Sequence, residues 1–579
     1  MSYTYLLLEE AASADALAAQ LPAFDRDVVT PRVAQDWGSL DATLSHHLLP
    51  LTDLHYTTHL LGDTEEKGNK AYVYIFLLAA LGILLVAAIN YVNLSVAQAT
   101  RRTVEVGICQ ALGAGKFQLW RQYMSECLLT TLSAVLLSLG LVLLIGHRFA
   151  ELLGEPITWP TLAHPDTVYI LLGILLAISF LAGSYPAFYL SSLHPVRALK
   201  GSSLLHAGEG RPHRGRFRKA LIVVQFVVAI GMVAGTLVVR DQVRYMQHKD
   251  LGFRQKQMVS MVIPDDSVAR KKALLLKHAL QQDARIAQAT TGSRPDALWS
   301  LSSFSVASHG GTRPMSAKGI PVDEDYLEVL RIPLVAGRNF APSASRQIIV
   351  NEAFVREAGW NEPIGQEVAF SESDVKEVVG VVRDFHYAPL HEKIKPFILY
   401  YDTSTPINLI VPLAPQDMEV VQAIWLNFFP DVPLEYEFLD DAFHRRYRTE
   451  MRMLTLFNYF SGLSLFVACM GLLGLTATLA QQKTKEISIR KVLGAGRGAI
   501  LYLLSREFGI LWLLAALVAT PVAYVAMRFW LQNFAYQTSV RALVFLLAGG
   551  GVGLLALLTL SYHTLKAAAT NPADSLRHE

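Results

Sequence analysis

Charge is what this sequence has least of: 17% of its 579 residues are Asp, Glu, Lys or Arg, whereas soluble proteins carry about a quarter. Its apolar residues, 52% of the total, gather into long runs instead of recurring at core-like spacing, which excludes a purely soluble enzyme and predicts a polytopic α-helical membrane protein. Cysteine is nearly absent. Cys109, Cys127 and Cys469 are too few and too scattered for a disulfide framework or a zinc cluster, and they read as small apolar residues. No excess charge of one sign exists either: the net charge is +2 and the basic residues occupy short loops, so nucleic acid is not expected as a partner. A phosphate-binding loop is missing as well. GAGK at 113–116 has Gln110 where that motif needs its first glycine and Phe117 where it needs Ser or Thr.

Apolar stretches of about 19 residues or more fall at 71–97, 128–146, 167–190, 220–239, 453–480, 508–527 and 542–562. Seven spans place the two termini on opposite sides. Lys and Arg are retained on the cytoplasmic side. They crowd segments 96–127, 191–219 and 481–507, while 147–166 and 531–541 hold only Arg148 and Arg541. The C-terminal tail, 563–579, is therefore expected in the cytoplasm and residues 1–70 outside. By the same parity 240–452 lies outside, long enough for one or two compact subdomains. Strand-like runs MVSMVI, QIIVNE, EVVGVV, FILYY and NLIVPL alternate there with helical stretches near 268–282 and 416–428, which predicts a mixed α/β domain.

The chain repeats itself. EVGICQALGAGKFQLWRQYMSE at 105–126 aligns without a gap to EISIRKVLGAGRGAILYLLSRE at 486–507, an offset of 381 residues. Each block follows one long span and precedes two more. The expected organisation is a remnant of a first extracytoplasmic domain (1–70), a three-helix membrane unit (71–190), a basic linker (191–219), the leading span of the second copy (220–239), its extracytoplasmic domain (240–452) and a second three-helix unit (453–562). Only the second copy has a leading span, so the first is read as shortened at its front, with eight spans in a complete ancestor.

With its repeat, LGAG blocks and large outer domain, the chain resembles the FtsX-like permeases of the MacB type, membrane subunits of ABC transporters. VVGVVRDFHYAPLHEKIKPFILYY at 378–401 is similar to a signature of the two-repeat branch, and LLPLTDLHYTTHL at 48–60 to the end of a first outer domain. The resemblance implies two FtsX-like repeats with a MacB-type periplasmic domain in a bacterial inner membrane. It implies an ABC ATPase dimer docked below that carries ATP and Mg²⁺, no cofactor or catalytic residue on this chain, and mechanical movement of the outer domain. The family's roles include export of peptides and macrolides, extraction of lipoproteins and activation of cell-wall hydrolases, so a periplasmic or outer-membrane partner is a further expectation.

The LGAG segments are the sharpest candidates. Helical spacing puts Glu486, Ile489, Arg490 and Leu493 on one side, with Gly494 and Gly496 ending the helix and allowing close backbone approach. The resemblance assigns such segments to ATPase contact, and the role carries to Glu105, Leu112, Gly113, Gly115, Glu486, Arg490, Lys491, Leu493, Gly494 and Gly496. Cys109 and Gln110 stand where the second copy has Arg490 and Lys491, so the two docking sites are expected to differ in strength.

His46, His47, His55 and His59 lack the glutamate of a zinc HExxH motif and read as interface histidines rather than metal ligands. Asp384, Phe385 and His386 read as a structural turn after strand 378–382. Asn90 and Asn93 could bond between helices, but they read as residues that merely lie at the membrane interface. The basic run RPHRGRFRK at 211–219 fixes topology and could attract anionic lipid. Two other classes stay open: a signalling or regulatory membrane protein that senses a ligand or controls a cell-wall hydrolase, and a nonfunctional shortened product. A membrane-embedded enzyme is disfavoured by spans nearly free of charge.

Overall fold

A computed structural model describes residues 4–9, 13–32, 45–54, 70–101, 103–153, 158–191, 213–286, 288–296, 301–308, 311–342, 345–370, 374–404, 407–482, 489–490 and 492–569. Helix α1 (Ala14–Phe24) precedes the repeat, whose first copy holds α2 (Lys70–Arg101), α3 (Thr103–Ala111), α4 (Lys116–Leu153) and α5 (Pro165–Ser191). Then come α6 (His213–His248), α7 (Ser267–Gln281), α8 (Glu352–Ala358), α9 (Met418–Phe428) and α10 (Leu439–Arg446). The second copy ends the chain with α11 (Arg448–Gln482), α12 (Arg497–Leu531) and α13 (Ala542–Ala569). The chain divides into two compact units.

The helical unit contains Val73–Arg244, Thr449–Gln532 and Gln537–Glu579. Seven helices among the described residues are long and apolar enough to cross a membrane, one within each of α2, α4, α5, α6, α11, α12 and α13. They overrun the apolar runs: α4 starts at Lys116 and α6 reaches His248, because no Gly or Pro interrupts their polar flanks at 116–127 and 240–248. In the second copy α6, α11, α12 and α13 share one core. Phe226 and Ile230 meet Leu472, Leu475, Ala515, Ala519, Ala548, Val552 and Ala556, and the small residues at every fourth position let the helices approach closely. Gly553 leaves room for the Trp512 ring, whose Nε1 donates to the Gly549 carbonyl at 3.0 Å. In the first copy α5 presents Gly183 to Met124 and Cys127 of α4.

Helix α2 joins the copies. Its Asn90 Nδ2 donates to the Val467 carbonyl of α11 at 2.5 Å, which corrects the expectation that this residue merely lies at the membrane interface: it is buried and bonds between helices. Gln225 of α6 donates to the next carbonyl, Ala468, at 2.8 Å. Gly471 is where any side chain would strike Asn90.

The other unit contains Met1–Tyr72, Tyr245–Arg448 and Asn533–Tyr536. Its strands among the described residues are β1 (Met258–Val262), β2 (Thr290–Gly292), β3 (Leu301–Ser308), β4 (Gly311–Val322), β5 (Leu334–Gly337), β6 (Gln347–Asn351), β7 (Glu367–Ala369), β8 (Val375–Val382), β9 (Phe397–Tyr401), β10 (Asn408–Pro412) and β11 (Tyr436–Phe438). The five strand-like runs of the sequence became β1, β6, β8, β9 and β10. The sheet runs β11-β1-β10-β2-β4-β3-β7-β8-β6-β9, and β9 pairs back to β4. Six strands thus close into a ring around Met315, Ile348, Val350, Val378, Val381 and Ile398, with Phe354 of α8 packed in.

The open part, β11-β1-β10-β2, is covered by α7 and α9. Val259, Met261, Leu409 and Val411 meet Leu276, Leu280, Val421 and Trp425 on one face, while Met258 and Ile410 enter a second core with Phe385, Phe397 and Phe443 on the other. Burial on both faces is why these strands read as continuous apolar runs. In β8 the register slips beside Gly380, pairing Ile348 with Val378 but Ile349 with Gly380. The bulge brings Val378 and Val381 to the same core despite their odd spacing.

Asp323, just past β4, is 1% exposed. It accepts from the Thr291 N–H at 2.6 Å, the Thr291 hydroxyl at 2.9 Å, the Thr290 hydroxyl, the Asp325 N–H at 3.1 Å and Lys277 Nζ at 2.7 Å. One carboxylate therefore pins α7 to β2 and to the turn after β4.

Candidate functional site

The LGAG blocks are helix stops followed at once by helix starts. Helix α3 ends in Gly113, whose φ of 97° is left-handed. The Gly113 N–H then donates to the Gln110 carbonyl at 3.1 Å and the Ala114 N–H to Cys109 at 2.9 Å, satisfying carbonyls that the helix end leaves open. Gly494 repeats this with a φ of 91° and an Ala495 N–H to Arg490 bond of 2.9 Å. A residue with a Cβ costs about 1–2 kcal/mol in that conformation. Gly115 and Gly496 play the opposite part: their carbonyls accept from Leu119 at 3.2 Å and Ala499 at 3.1 Å, beginning α4 and α12.

This geometry offers Leu112, 83% exposed, and Leu493, 80% exposed, at the tips of the two turns. Ile108 and Ile489, one helical turn earlier, are exposed beside them. Glu105 is exposed at the start of α3, and Arg490 is exposed in the second copy. Glu486 and Lys491 lie outside the described residues. Among the described residues, chain neighbours aside, no atom lies within 4 Å of where a Cβ would sit on Gly113, Gly115, Gly494 or Gly496, so within the chain these glycines serve chain reversal and leave their surroundings open. Val106 and Leu119 are buried together against Cys109 and Tyr123, fixing α3 against α4. Cys109 thus packs as a small apolar residue, where the second copy has an exposed Arg490.

The signature at 384–391 is built differently from a catalytic cluster. Asp384 turns its carboxylate to the Ala353 N–H at 2.8 Å and to Arg356 Nη2 at 2.5 Å, capping α8. Phe385 is buried among Phe253, Tyr387 and Phe397. His386 meets the Tyr536 ring edge to face at 4.6 Å, and His391 stacks on Phe534 at 4.4 Å. The backbone follows the rings: Ala535 N–H donates to the His391 carbonyl at 3.3 Å and Tyr536 N–H to Leu390 at 3.2 Å. Residues 533–536 were not singled out by the sequence reading. The available signal was two aromatics, Phe534 and Tyr536, in a short loop between spans.

Burial, and next the charge of Lys249, hold the His386 imidazole below its ordinary pKa, against the opposing carboxylates of Asp250 and Asp384. A group whose folded pKa is depressed below its unfolded value of about 6.5 favours the folded state above that value and loses the contribution as pH falls through the folded pKa. Acidification from pH 7.5 to 5 is expected to lower the thermal midpoint of the full chain, and His386→Phe should flatten that dependence. An equal pH response in both proteins would contradict the assignment.

Among the described residues no three His, Cys, Asp or Glu side chains group as a metal site. His46 Nδ1 pairs with Asp25, and HYTTH at 55–59 lies outside the described residues.

The sequence pattern of the FtsX-like permease C-terminal family matches residues 77–195 and again 458–572. That of the MacB-like periplasmic core domain matches 220–418. A macrolide export ATP-binding/permease protein MacB of Bdellovibrio bacteriovorus is 31% identical over 143 residues, 24% of this chain and 21% of that protein. The uncharacterized ABC transporter permease YknZ of Bacillus subtilis is 33% identical over 119 residues, 20% of this chain and 28% of that one. A probable syringafactin export ATP-binding/permease protein SyfD of Pseudomonas syringae is 26% identical over 136 residues, covering 24% and 20%. The matches span between 20% and 28% of the length of these relatives. Among solved structures, the periplasmic region of MacB from Actinobacillus actinomycetemcomitans is 12% identical with a TM-score of 0.26, over 34% of this chain and 97% of that one. With both membrane copies and the domain between them matched, the chain belongs to the FtsX-like permeases that carry a MacB-like periplasmic core domain.

Proposed function

We propose that this chain is the membrane subunit of an ABC transporter, coupling ATP hydrolysis by a partner ATPase dimer to motion of its extracytoplasmic α/β unit for export or extraction of a peptide, lipoprotein or drug-like molecule. The observation that carries the reading is the pair of exposed leucines, Leu112 and Leu493, held at matched places on rigid glycine turns. Apolar tips on short basic segments are suited to clefts in a soluble partner. Glu105, Gly113 and Gly115 of the first copy, and Glu486, Arg490, Lys491, Gly494 and Gly496 of the second, would frame those tips. ATP and Mg²⁺ belong to the ATPase, because this sequence has no phosphate-binding loop. The relatives' names speak of macrolide and syringafactin export, which favours an exporter. Lys and Arg in the LGAG segments support a cytoplasmic position for them, in a chain of a bacterial inner membrane, and exposed Leu136, Leu137 and Leu144 of α4 suit contact with lipid.

The test is a mild-detergent pull-down of the tagged chain from its own cells, with Gly494→Asp, Gly496→Asp as control. An ABC ATPase recovered with the parent and lost with the control is expected. A stably inserted chain that brings down no ATPase would sink the transporter reading and leave the sensor.

A further inference from the structure

We propose that residues 533–538 form a clasp through which α12 drives the α/β unit, in parallel with α11, and that both arms converge on Leu390. The proposal rests on the permease reading above. Two helices of 35 residues each leave the second LGAG segment, α11 before it and α12 after it, each about 50 Å long. At the far end α11 runs into α10 through Tyr447. The Tyr447 hydroxyl accepts the Leu390 N–H at 3.2 Å. The far end of α12 leads directly into Asn533–Tyr536, which belong to the α/β unit, and Tyr536 N–H donates to the carbonyl of the same Leu390 at 3.2 Å. Leu390 itself is fully buried. One peptide position is thus bonded through its N–H to one arm and through its C=O to the other.

A loop between two spans is ordinarily the freest part of a helical protein. This one is fixed along its length. Phe534 is 2% exposed and stacks on His391, Tyr536 packs on His386 with Lys249 Nζ over its ring, and Ala535 N–H bonds to His391. Two residues on, Thr538 N–H donates to Gln242 Oε1 of α6 at 2.8 Å, and Gln242 is fully buried. Such a contact transmits displacement because packed interfaces shift as units rather than deform. It also accounts for the 384–391 signature: His386, Leu390 and His391 form the seat of the clasp.

The experiment is amide hydrogen exchange on the full chain in nanodiscs, alone and with the ATPase recovered by pull-down, without nucleotide and with ATP plus vanadate. The parent is compared with Phe534→Ser, Tyr536→Ser and with Phe534→Leu, Tyr536→Phe. In the parent alone, 532–541 should exchange roughly tenfold more slowly than in the double-serine variant. With the ATPase, nucleotide should alter exchange across 384–392. That response should fall at least about fivefold in the double-serine variant while the ATPase still binds, and persist in the conservative variant. An unchanged response with the clasp broken, or a loop exchanging freely in the parent, would overturn the proposal. Loss of β1 protection in the double-serine variant would signal misfolding, and the decision then passes to the conservative pair, whose loss of response despite a protected loop would count against transmission. Absence of any ATPase from the parent preparation would overturn the permease reading and transmission with it, while loop protection would still report separately on the contact.

Discussion

Leu112→Asp combined with Leu493→Asp is expected to weaken ATPase binding by at least about a hundredfold, read as Kd against the chain in nanodiscs. Burying a leucine contributes about 1.5–3 kcal/mol, and each 1.4 kcal/mol is tenfold, so two lost tips exceed that factor before the cost of desolvating two carboxylates. Both residues are exposed in this chain, so folding and insertion should be untouched. Because the two tips engage one dimer, their effects should multiply through loss of avidity. The single variants need not match, since Arg490 stands beside Leu493 where Cys109 stands beside Leu112. An unchanged Kd for the double variant would remove the LGAG turns from the interface.

Asp323→Ala should be the most damaging single change in the α/β unit, at about 3–5 kcal/mol. It strips from Lys277, an α7 side chain buried beside it, the buried one of its two carboxylate partners, Asp325 being the other, and leaves Thr290, Thr291 and two backbone N–H groups without their acceptor. Burial alone would depress the Lys277 pKa, yet the Asp323 and Asp325 carboxylates outweigh it and hold the ammonium above its usual value. A raised pKa contributes its stability below the unfolded value, about 10.4, and loses it only as pH climbs through the folded one, so the pair is fully in force at pH 7. Limited proteolysis of the full chain across a urea series would read the loss. Asp323→Leu with Lys277→Met should recover part of it, because replacing a buried ion pair whole costs less than breaking it. A shift below about 1 kcal/mol in Asp323→Ala would show the network to be dispensable.

Local patterns carried much of this architecture. Seven spans follow from apolar run length, and the LGAG turns from glycine placed after a helical stretch. The runs that became β1 and β10 are apolar at every position because two cores claim alternate residues. What stayed hidden depends on pairing between distant segments. LSSFSVAS and GTRPMSAK carry little apolar signal, yet they form β3 and most of β4 as partners in the ring. Gly380 reads as an ordinary strand residue until Ile348 and Ile349 show the register slip. The seat at His386 and His391 was invisible for the same reason: its other half lies beyond residue 530, and no periodicity connects NFAYQT to APLH.

Closing six strands into a ring also restricts how cargo could be recognised. A sheet binds an extended peptide by lending it an unpaired edge. Among the described residues the strands at the sheet's ends, β5 and β11, are four and three residues long, and the longer edges are the stretches that outrun their partners, Leu301–Phe304 of β3 and Gly311–Ala317 of β4. Under the export reading, those two stretches are where main-chain pairing with an extended cargo would be open, and over the rest of the domain selectivity would rest on side chains, free to drift by substitution without disturbing the sheet beneath.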